Sequence, residues 1–297
     1  MKSNVKGSLI LILTALIWGM AFAAQSTATD YMGPFTFVCI RFAITSIVLF
    51  AAYPFFRRME MRFRPEIDYR KHIKYGIILG LLLFGACALQ QIGIAHTTAA
   101  KSGFITALYI VMIPIIGVFM GKRIGKLVWV GVVVALIGLC LLCLKDDLSI
   151  NMGDVITLGC AIVFSFHIIV VDRYAGGLNS VLLSAIQFAV GALISLPIMF
   201  TEAPDLQRIL ACWPSILYAS VCSGAIAYTL QFVGQKYTEP TLASLILCLE
   251  AVFAALGGWI ILGEVLSLRE LSGCILMLSA SIIAQIPEKS TIQKQRA

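Results

Sequence analysis

The sequence predicts an all-α integral membrane protein with ten transmembrane helices, arranged as two inverted five-helix repeats. Three observations predict this fold: an apolar composition, ten long hydrophobic stretches, and residues that recur in the same order in the two halves. Of the 297 residues, 60% are hydrophobic and only 12% are charged, against about 25% charged in a typical soluble domain. A soluble fold could not cover so much apolar surface, so lipid is the expected solvent.

Ten apolar stretches are each long enough to cross a bilayer as a helix, which takes about 20 residues. They are 7–27, 34–54, 73–95, 99–121, 125–144, 153–172, 179–200, 212–235, 239–262 and 269–286. Strands of a membrane barrel would be about 10 residues long and would alternate in polarity, which these stretches do not do. Because no connector could form a separate soluble domain, we expect a first repeat at 1–147 and a second at 148–297.

Basic residues in the connectors predict the orientation, because Lys and Arg are retained on the cytoplasmic side. With the N-terminus inside, 17 of the 22 Lys and Arg fall on the cytoplasmic side and 4 on the other, while Arg41 lies within a span. We therefore expect a multi-pass protein of the cell membrane with both termini cytoplasmic. The formal net charge of +7 is explained by these loops, and no basic stretch interleaved with aromatic residues predicts a nucleic-acid partner.

Polar and small residues inside the spans recur between the two halves. At a shift of 146 residues, Trp18-Gly19 corresponds to Phe164-Ser165 and Arg41-Phe42 to Gln187-Phe188; at a shift of 141, Leu89-Gln90 corresponds to Leu230-Gln231 and Tyr109 to Glu250. Five spans are an odd number, so the second repeat enters the membrane from the opposite side. Inverted repeats make inward-open and outward-open states similar in energy, which favours alternating access.

Ionisable side chains inside the predicted spans are the first candidates for a substrate site, because each costs about 2.5–3.5 kcal/mol at the bilayer centre. Arg41 in the second span and Glu250 in the ninth are the clear cases. A functional interpretation makes Arg41 the anchor of a carboxylate or phosphate, and Glu250 a proton or ammonium site. A structural interpretation makes them an ion pair or a polar cap inside the bundle.

Polar and small residues also form stripes at helical spacing on four spans, which predicts a solvated central cavity. The stripes are Thr14, Trp18, Ala21 and Gln25; Ser180, Ser184, Gln187 and Gly191; Gly224, Tyr228, Gln231 and Gln235; and Ala243, Glu250, Ala254 and Gly257. Tight helix packing explains the small residues but not the large amide groups. The predicted substrate-binding residues are Trp18, Gln25, Arg41, Gln90, Tyr109, His167, Gln187, Tyr228, Gln231 and Glu250.

Glycine and proline inside the spans raise two further expectations. The Gly76-x3-Gly80 and Gly117-x3-Gly121 pairs allow close helix contact, either within the chain or between the protomers of a homodimer. Pro114 and Pro197 are candidates for kinks or hinges.

These motifs, taken in order, resemble the EamA family of the drug/metabolite transporter superfamily. The residues that carry the resemblance are Trp18-Gly19-x-x-Phe22, Arg41-Phe42, Glu250-x-x-Phe253 and Leu262-Gly263-Glu264. The resemblance covers nearly the whole chain. It implies ten helices around a central cavity and transport of small organic molecules, commonly export of amino acids or related metabolites. Two positions depart from the family pattern: Ala251 stands where Pro is frequent, and Lys122 stands where Glu is frequent.

The sequence therefore predicts a secondary transporter that exports small organic metabolites such as amino acids by alternating access, with proton coupling as one mode of drive. The alternative is a passive channel or a non-transporting membrane scaffold. An enzyme is not expected, because no Gly-x-Ser-x-Gly or His-Glu-x-x-His motif occurs. Neither a metal nor another cofactor is expected, and no Walker A motif indicates ATP as the energy source.

Overall fold

The computed structural model describes residues 5–60, 67–97, 99–143, 151–262 and 267–286, and every regular element in these ranges is a helix. The helices are α1 (Val5–Thr29), α2 (Pro34–Glu60), α3 (Tyr69–His96), α4 (Ala99–Ala107), α5 (Tyr109–Phe119), α6 (Lys126–Cys143), α7 (Met152–Ala175), α8 (Ser180–Thr201), α9 (Leu206–Ala211), α10 (Trp213–Leu217), a π-helix (Tyr218–Ala227), α11 (Tyr228–Gln235), α12 (Pro240–Leu247), α13 (Glu250–Leu262) and α14 (Leu268–Ile283).

Seven helical segments of the described chain are long and apolar enough to cross a membrane. They are Val5–Thr29, Pro34–Arg58, Tyr69–His96, Ser102–Phe119, Met152–Ala175, Ser180–Thr201 and Trp213–Gln235. The predicted fifth and ninth spans coincide with shorter apolar helices, Lys126–Leu142 and Pro240–Leu256, and the predicted tenth with α14, which has 16 residues. The chain is thus a multi-pass helical membrane protein, with fewer full-length spans in the described residues than the ten predicted.

Reciprocal side-chain caps mark where two of these helices begin. Asn151 accepts a hydrogen bond from the backbone N–H of Asp154, whose carboxylate accepts one in return from the N–H of Asn151, at the start of α7. Ser267 and Glu270 form the same reciprocal pair at the start of α14. Each pair satisfies backbone donors that the first helical turn leaves without a partner.

Two of the predicted spans are each interrupted near their middle. Leu108 separates α4 from α5, and Cys248 and Leu249 separate α12 from α13. At both points the chain tightens, because the amides of Leu108 and Leu249 donate to the carbonyl three residues earlier, at 3.2 and 3.1 Å. Tyr109 and Glu250 are the first residues after the two interruptions, and they correspond under the sequence shift of 141.

Helices α2 and α8 pack against each other along much of their length. Ser46 Oγ on α2 donates to the carbonyl of Ala185 at 3.1 Å, and Cys39 Sγ donates to the carbonyl of Ala192 at 3.8 Å. Under the sequence shift of 146, Cys39 corresponds to Ala185 and Ser46 to Ala192. Under this shift each of the two contacts therefore corresponds to the other.

Glycine permits the closest helix contacts of the bundle. A methyl group on Gly138 of α6 would lie 2.8 Å from the carbonyl oxygen of Gly273 on α14, and one on Gly273 would lie 2.6 Å from that of Gly138. Gly80 brings α3 against α8 in the same way, with the carbonyl of Gln187 2.8 Å from the position of such a methyl, and Gly76 faces Ile186. The Gly76-x3-Gly80 motif thus makes a helix contact within the chain, between α3 and α8.

The second glycine motif and the two prolines have different settings. Gly121 adopts a φ of +79°, and nothing lies within 4 Å of where its methyl would be. It therefore serves the turn after α5 and not a helix contact. Pro114 and Pro197 lie inside α5 and α8.

The two ends of the bundle differ in charge. We call one of them the basic end; it holds the start of α1, the end of α2, the start of α3 and the connection from α7 to α8, with Lys6, Arg57, Lys71 and Arg173. The opposite end holds Asp30, Glu202 and Asp205.

Candidate functional site

A cavity of about 40 Å³ lies in the middle of the bundle, room for a few water molecules. It is lined by Trp18, Ala21, Phe22, Gln25, Arg41, Gln90, Thr106, Tyr109, Phe164, Ile168, Ser223, Tyr228, Gln231 and Glu250. Eight of the ten residues predicted to bind substrate are among them. Three of the four helical stripes predicted from the sequence thus contribute residues to one site, and the stripe of Ser180, Ser184, Gln187 and Gly191 does not.

Arg41 is buried and is bonded only to neutral groups. Its Nη1 donates to Oε1 of Gln25 at 3.2 Å, its Nη2 to Oγ of Ser223 at 3.1 Å, and its Nε to the carbonyl of Ala219 at 3.2 Å. The side chain is 3% exposed. No carboxylate lies within ion-pair distance of it in the described part of the chain, so its positive charge is not neutralised by the protein there.

The π-helix supplies most of the groups around Arg41. Besides the two acceptors just named, its Ser223 carbonyl accepts from Nε1 of Trp18 at 3.3 Å, and its Ser220 carbonyl accepts from Oγ1 of Thr45 at 2.8 Å. A π-helix is wider than an α-helix, and its bulges occur frequently at functional sites. Here it places carbonyl and hydroxyl oxygens toward the arginine.

This segment also corrects one predicted stripe. Helical spacing predicts that Gly224 shares a face with Tyr228, Gln231 and Gln235. In the structure Gly224 packs against Thr45, and its neighbour Ser223 lines the cavity instead. The α-helical period of 3.6 residues does not hold through the wider turns of a π-helix, so the register shifts.

Glu250 stands across the same cavity, at the first position of α13. Its side chain is 5% exposed, and its Oε1 accepts a hydrogen bond from the hydroxyl of Tyr109 at 3.2 Å. Gly19 allows α1 to approach α13 closely at this point, since a methyl group added to Gly19 would lie 2.5 Å from the backbone carbonyl of Glu250. Arg41 and Glu250 thus line one cavity without pairing with each other.

Aromatic rings and amides complete the lining. Trp18 and Tyr228 form one wall, with ring centroids 4.8 Å apart. Gln90 donates to Oγ1 of Thr106 at 3.4 Å. Oε1 of Gln231 has no hydrogen-bond partner among the described atoms, which leaves this amide available to a ligand or to water.

His167 and Gln187 are not among the cavity-lining residues. They lie behind Tyr228 and are bonded to each other, with Nε2 of His167 and Oε1 of Gln187 3.0 Å apart. The centroid of the His167 ring is 6.3 Å from that of Tyr228. These two residues are therefore not part of the cavity wall.

The sequence missed several cavity residues. Phe22 and Phe164 line the cavity, and both belong to segments that the repeat or the family resemblance singles out, so that signal could have found them. Thr106 and Ser223 are small hydroxyl residues within apolar helices, and nothing in their sequence context distinguishes them. The Gly263-Glu264 pair of the family motif lies outside the described residues.

Comparison with known proteins gives a consistent picture. Residues 5–144 and 151–285 match the model of the EamA-like transporter family. An uncharacterized transporter of Archaeoglobus fulgidus is 30% identical over 277 residues, which cover 93% of this chain and 84% of the relative. The threonine/homoserine exporter RhtA of Escherichia coli K12 is 27% identical over 293 residues, which cover 97% of this chain and 92% of that protein.

The fold also has a solved counterpart. A crystal structure superposes with a TM-score of 0.77 at 18% identity, covering 95% of this chain and 96% of the other. At this identity the likeness concerns the fold alone.

Proposed function

The chain belongs to the EamA-like transporter family, and we propose that it is a secondary carrier that exports small zwitterionic metabolites such as amino acids by alternating access. The observation that carries the proposal is that two buried residues of opposite charge line one cavity and do not form an ion pair with each other. Within the described residues Arg41 is bonded to neutral groups only, and Glu250 is bonded to a tyrosine hydroxyl. A ligand with one negative and one positive group complements both.

The proposed binding mode assigns one charge to each end of the ligand. The planar guanidinium of Arg41 accepts a carboxylate, for which its fixed donors are suited. Glu250 holds the ammonium group, and the rings of Trp18 and Tyr228 offer their faces to the same cation. Gln90 and Gln231 remain for polar groups of the ligand side chain. The name of the relative RhtA, a threonine/homoserine exporter, agrees with this substrate class.

The proposed architecture is ten spans in two inverted repeats, with both termini cytoplasmic. The reciprocal contacts of α2 with α8 support it, as do the interruptions before Tyr109 and Glu250 at equivalent positions of the two halves. Interrupted helices that meet near the middle of the bilayer occur at the substrate and ion sites of transporters built from repeats. Tags on both termini that react from opposite sides of the membrane would contradict this architecture.

Proton coupling is part of the proposal. Glu250 can bind the ammonium group only as a carboxylate, so a proton and the substrate compete for it. A carrier of this kind exchanges an outgoing metabolite for an incoming proton. The charge of Arg41 is constant, because guanidinium does not lose its proton in proteins, and it binds the substrate carboxylate in either state.

Counterflow in proteoliposomes tests the proposed function. Liposomes containing the purified protein and loaded with unlabelled L-threonine should accumulate labelled L-threonine transiently, and L-homoserine loaded inside should serve as well. Resistance of an overexpressing strain to a panel of toxic amino-acid analogues widens the test beyond these two ligands. A flux that does not saturate and shows no counterflow would favour the passive channel; no flux and no resistance would favour the scaffold.

A further inference from the structure

A second group of polar residues lies between the central cavity and the basic end. Six of its side chains are more than nine-tenths buried and carry a polar atom without a hydrogen-bond partner among the described atoms. These atoms are Oγ of Ser180, Oγ of Ser184, Nε2 of Gln187, Nδ1 of His167, Oε1 of Gln231 and Oε1 of Gln235. A buried polar atom left in this way costs about 1–3 kcal/mol, so six of them in one region call for a partner.

Five of the six residues lie on two neighbouring helices, α8 and α11, and the sixth lies on α7. Ser180, Ser184 and Gln187 are spaced by four and three residues along one face of α8, and Gln231 and Gln235 are one turn apart on α11. From Ser180 to Gln187 this face spans about 10 Å at the α-helical rise. His167 of α7 joins the two helices, because it bonds Gln187 and its ring lies 6.4 Å from that of Phe232 on α11.

The group borders one cavity at one end and lies next to a second pocket at the other. Gln231 lines the central cavity. At the other end, Ser180 follows Asn179, which lines a pocket of about 330 Å³ at the basic end together with His72, Lys71 and Arg173. The polar atoms therefore lie on helices that lead from the central cavity, at Gln231, to the residue that precedes Ser180 in the pocket at the basic end.

Apolar side chains enclose the remaining space between these helices. Leu79, Val171, Leu183 and Phe232 form a fully buried cluster there. Such a cluster leaves no room for a metabolite, whereas a water molecule needs only about 10–15 Å³ and two to four polar partners.

We propose that a file of bound water molecules runs between α7, α8 and α11 and connects the central cavity with the pocket at the basic end. This inference rests on the proposed function for its role, which is to exchange protons between Glu250 and the solution at that end. Glu250 takes a proton from a cavity water, each water recovers one from the next, and the solution supplies the last. At each water one O–H bond breaks and another forms, so every water is regenerated and the net change is one proton taken from the solution and bound to Glu250.

Other groups that carry or exchange charge surround Glu250 from several helices. Arg41 of α2, Tyr109 of α5 and Tyr228 of α11 line the same cavity, and His167 of α7 stands behind Tyr228. The buried thiols of Cys87, Cys160 and Cys248 lie near them. The proposed water file enters this group from the side of Gln231 and His167.

Hydroxyl-radical footprinting of the detergent-purified full chain tests the water file without knowledge of the substrate. Radicals formed from bound water oxidise the side chains beside it, even when these are buried. After each rate is divided by the intrinsic reactivity of its side-chain type, we expect His167 to be oxidised several-fold faster than Met277, an equally buried residue in an apolar setting. Oxidation of His167 no faster than that of Met277 would overturn the proposal.

Variants distinguish oxidation of His167 by bound water from oxidation that results from general flexibility of the protein. Gln187→Met combined with Ser184→Ala should lower the oxidation rate of His167 several-fold. The matched control is Ser195→Ala, because Ser195 is buried on the same helix but bonds its own backbone; it should leave the rate unchanged. If the double variant does not fold, Ser184→Ala alone takes its place. Equal rates in the Ser184 variant, the control and the native chain would count against the file.

A transport measurement keeps the two proposals distinguishable. In pyranine-loaded proteoliposomes, L-threonine counterflow should be accompanied by a change of internal pH that slows several-fold in the Ser184 variants and not in Ser195→Ala. If no threonine moves in any variant, the proposed function fails for this ligand, while the footprinting result still decides on the water file.

Discussion

The hydroxyl of Tyr109 donates a hydrogen bond of 3.2 Å to the carboxylate of Glu250, and each of the two residues is the first of a helix that follows an interruption. The two residues correspond under the shift that relates the halves of the sequence. One side of the cavity is thus closed by a bond between α5 and α13. Any movement that separates these two helices at this level has to break it.

A double-mutant cycle measures the strength of this bond. Tyr109→Phe removes the donor and Glu250→Met removes the acceptor, and a hydrogen bond to a charged group contributes about 1.5–3 kcal/mol. We expect the two single losses in thermal stability of the detergent-purified protein to exceed the loss of the double variant by a coupling energy in that range. Strictly additive losses would show that the bond contributes nothing.

The pH dependence of transport provides a second prediction. Glu250→Gln cannot exchange a proton, so counterflow of L-threonine should become independent of pH, while the native chain responds to it. Glu239→Gln is the matched control, because Glu239 is exposed and caps no helix through its side chain. An unaltered pH profile in Glu250→Gln would remove Glu250 from the coupling mechanism.

The sequence predicted most of the cavity because large polar side chains in a membrane helix have to face the interior of the protein. Arg41, Glu250 and the amides of Gln25, Gln90 and Gln231 cost too much in lipid to face outward, so their burial could be predicted from their type and position. Tyr109 was added only by its correspondence to Glu250 in the repeat, and the structure brings the two into contact. Composition and spacing therefore suffice to predict which residues line the cavity wherever the helix is regular and the residue is costly to expose to lipid.

The sequence did not predict the cavity residues correctly where a helix is irregular or where a residue costs little to expose. The π-helix changes the angular step between residues, so the stripe through Gly224 predicted the wrong face. Thr106 and Ser223 are cheap to bury because a hydroxyl can bond to its own helix, and no cost marks them in advance. His167 and Gln187 are buried as predicted, but helical spacing cannot tell which of two polar spaces a stripe will face.

Substitution of Arg41 is the most direct test of the binding site. Arg41→Ala removes the donors proposed for the substrate carboxylate, and the loss of about 1.5–3 kcal/mol for such a bond corresponds to a 10- to 150-fold weaker affinity. Arg41→Lys keeps the charge but not the planar fork, and we expect it to recover only part of the affinity. Affinity would be measured by competition in counterflow.

The amount of the Arg41→Ala variant in the membrane shows whether this arginine is needed for folding. We expect Arg41→Ala to reach the membrane in near-normal amount, because the groups it bonds are carbonyl, amide and hydroxyl oxygens that water can also satisfy. Undiminished transport by Arg41→Ala would make Arg41 structural and would remove the observation on which the proposed function depends.

The contact of α6 with α14 predicts which glycine cannot be replaced. Gly138→Val would force a side chain against the carbonyl of Gly273, 2.8 Å from the first added carbon, and overpacking of this kind costs about 1–3 kcal/mol. We expect a lower melting temperature in detergent. Gly176→Ala is the control, since nothing lies within 4 Å of its added methyl, and equal melting temperatures of the two variants would contradict the close contact.

The opposite end of the bundle depends on a cap that one helix supplies to another. At the end of α8, Glu202 accepts from the N–H of Phe35 at 3.0 Å and from the N–H and hydroxyl of Thr36 at 2.7 Å, at the start of α2. Loss of an N-terminal cap costs about 0.5–2 kcal/mol, and a carboxylate is favoured there by the helix dipole. We expect Glu202→Ala to lower thermal stability by that amount.

The residue after this cap should respond in the opposite direction. Ala203 has a φ of +48°, a left-handed conformation that costs a residue with a Cβ about 1–2 kcal/mol and that glycine adopts freely. Glycine loses more freedom on folding, which offsets about 0.4–1 kcal/mol of this gain. Ala203→Gly should therefore keep or raise the melting temperature while Glu202→Ala lowers it; a loss of stability in both would mean that Ala203 does not hold the backbone strain that its φ indicates.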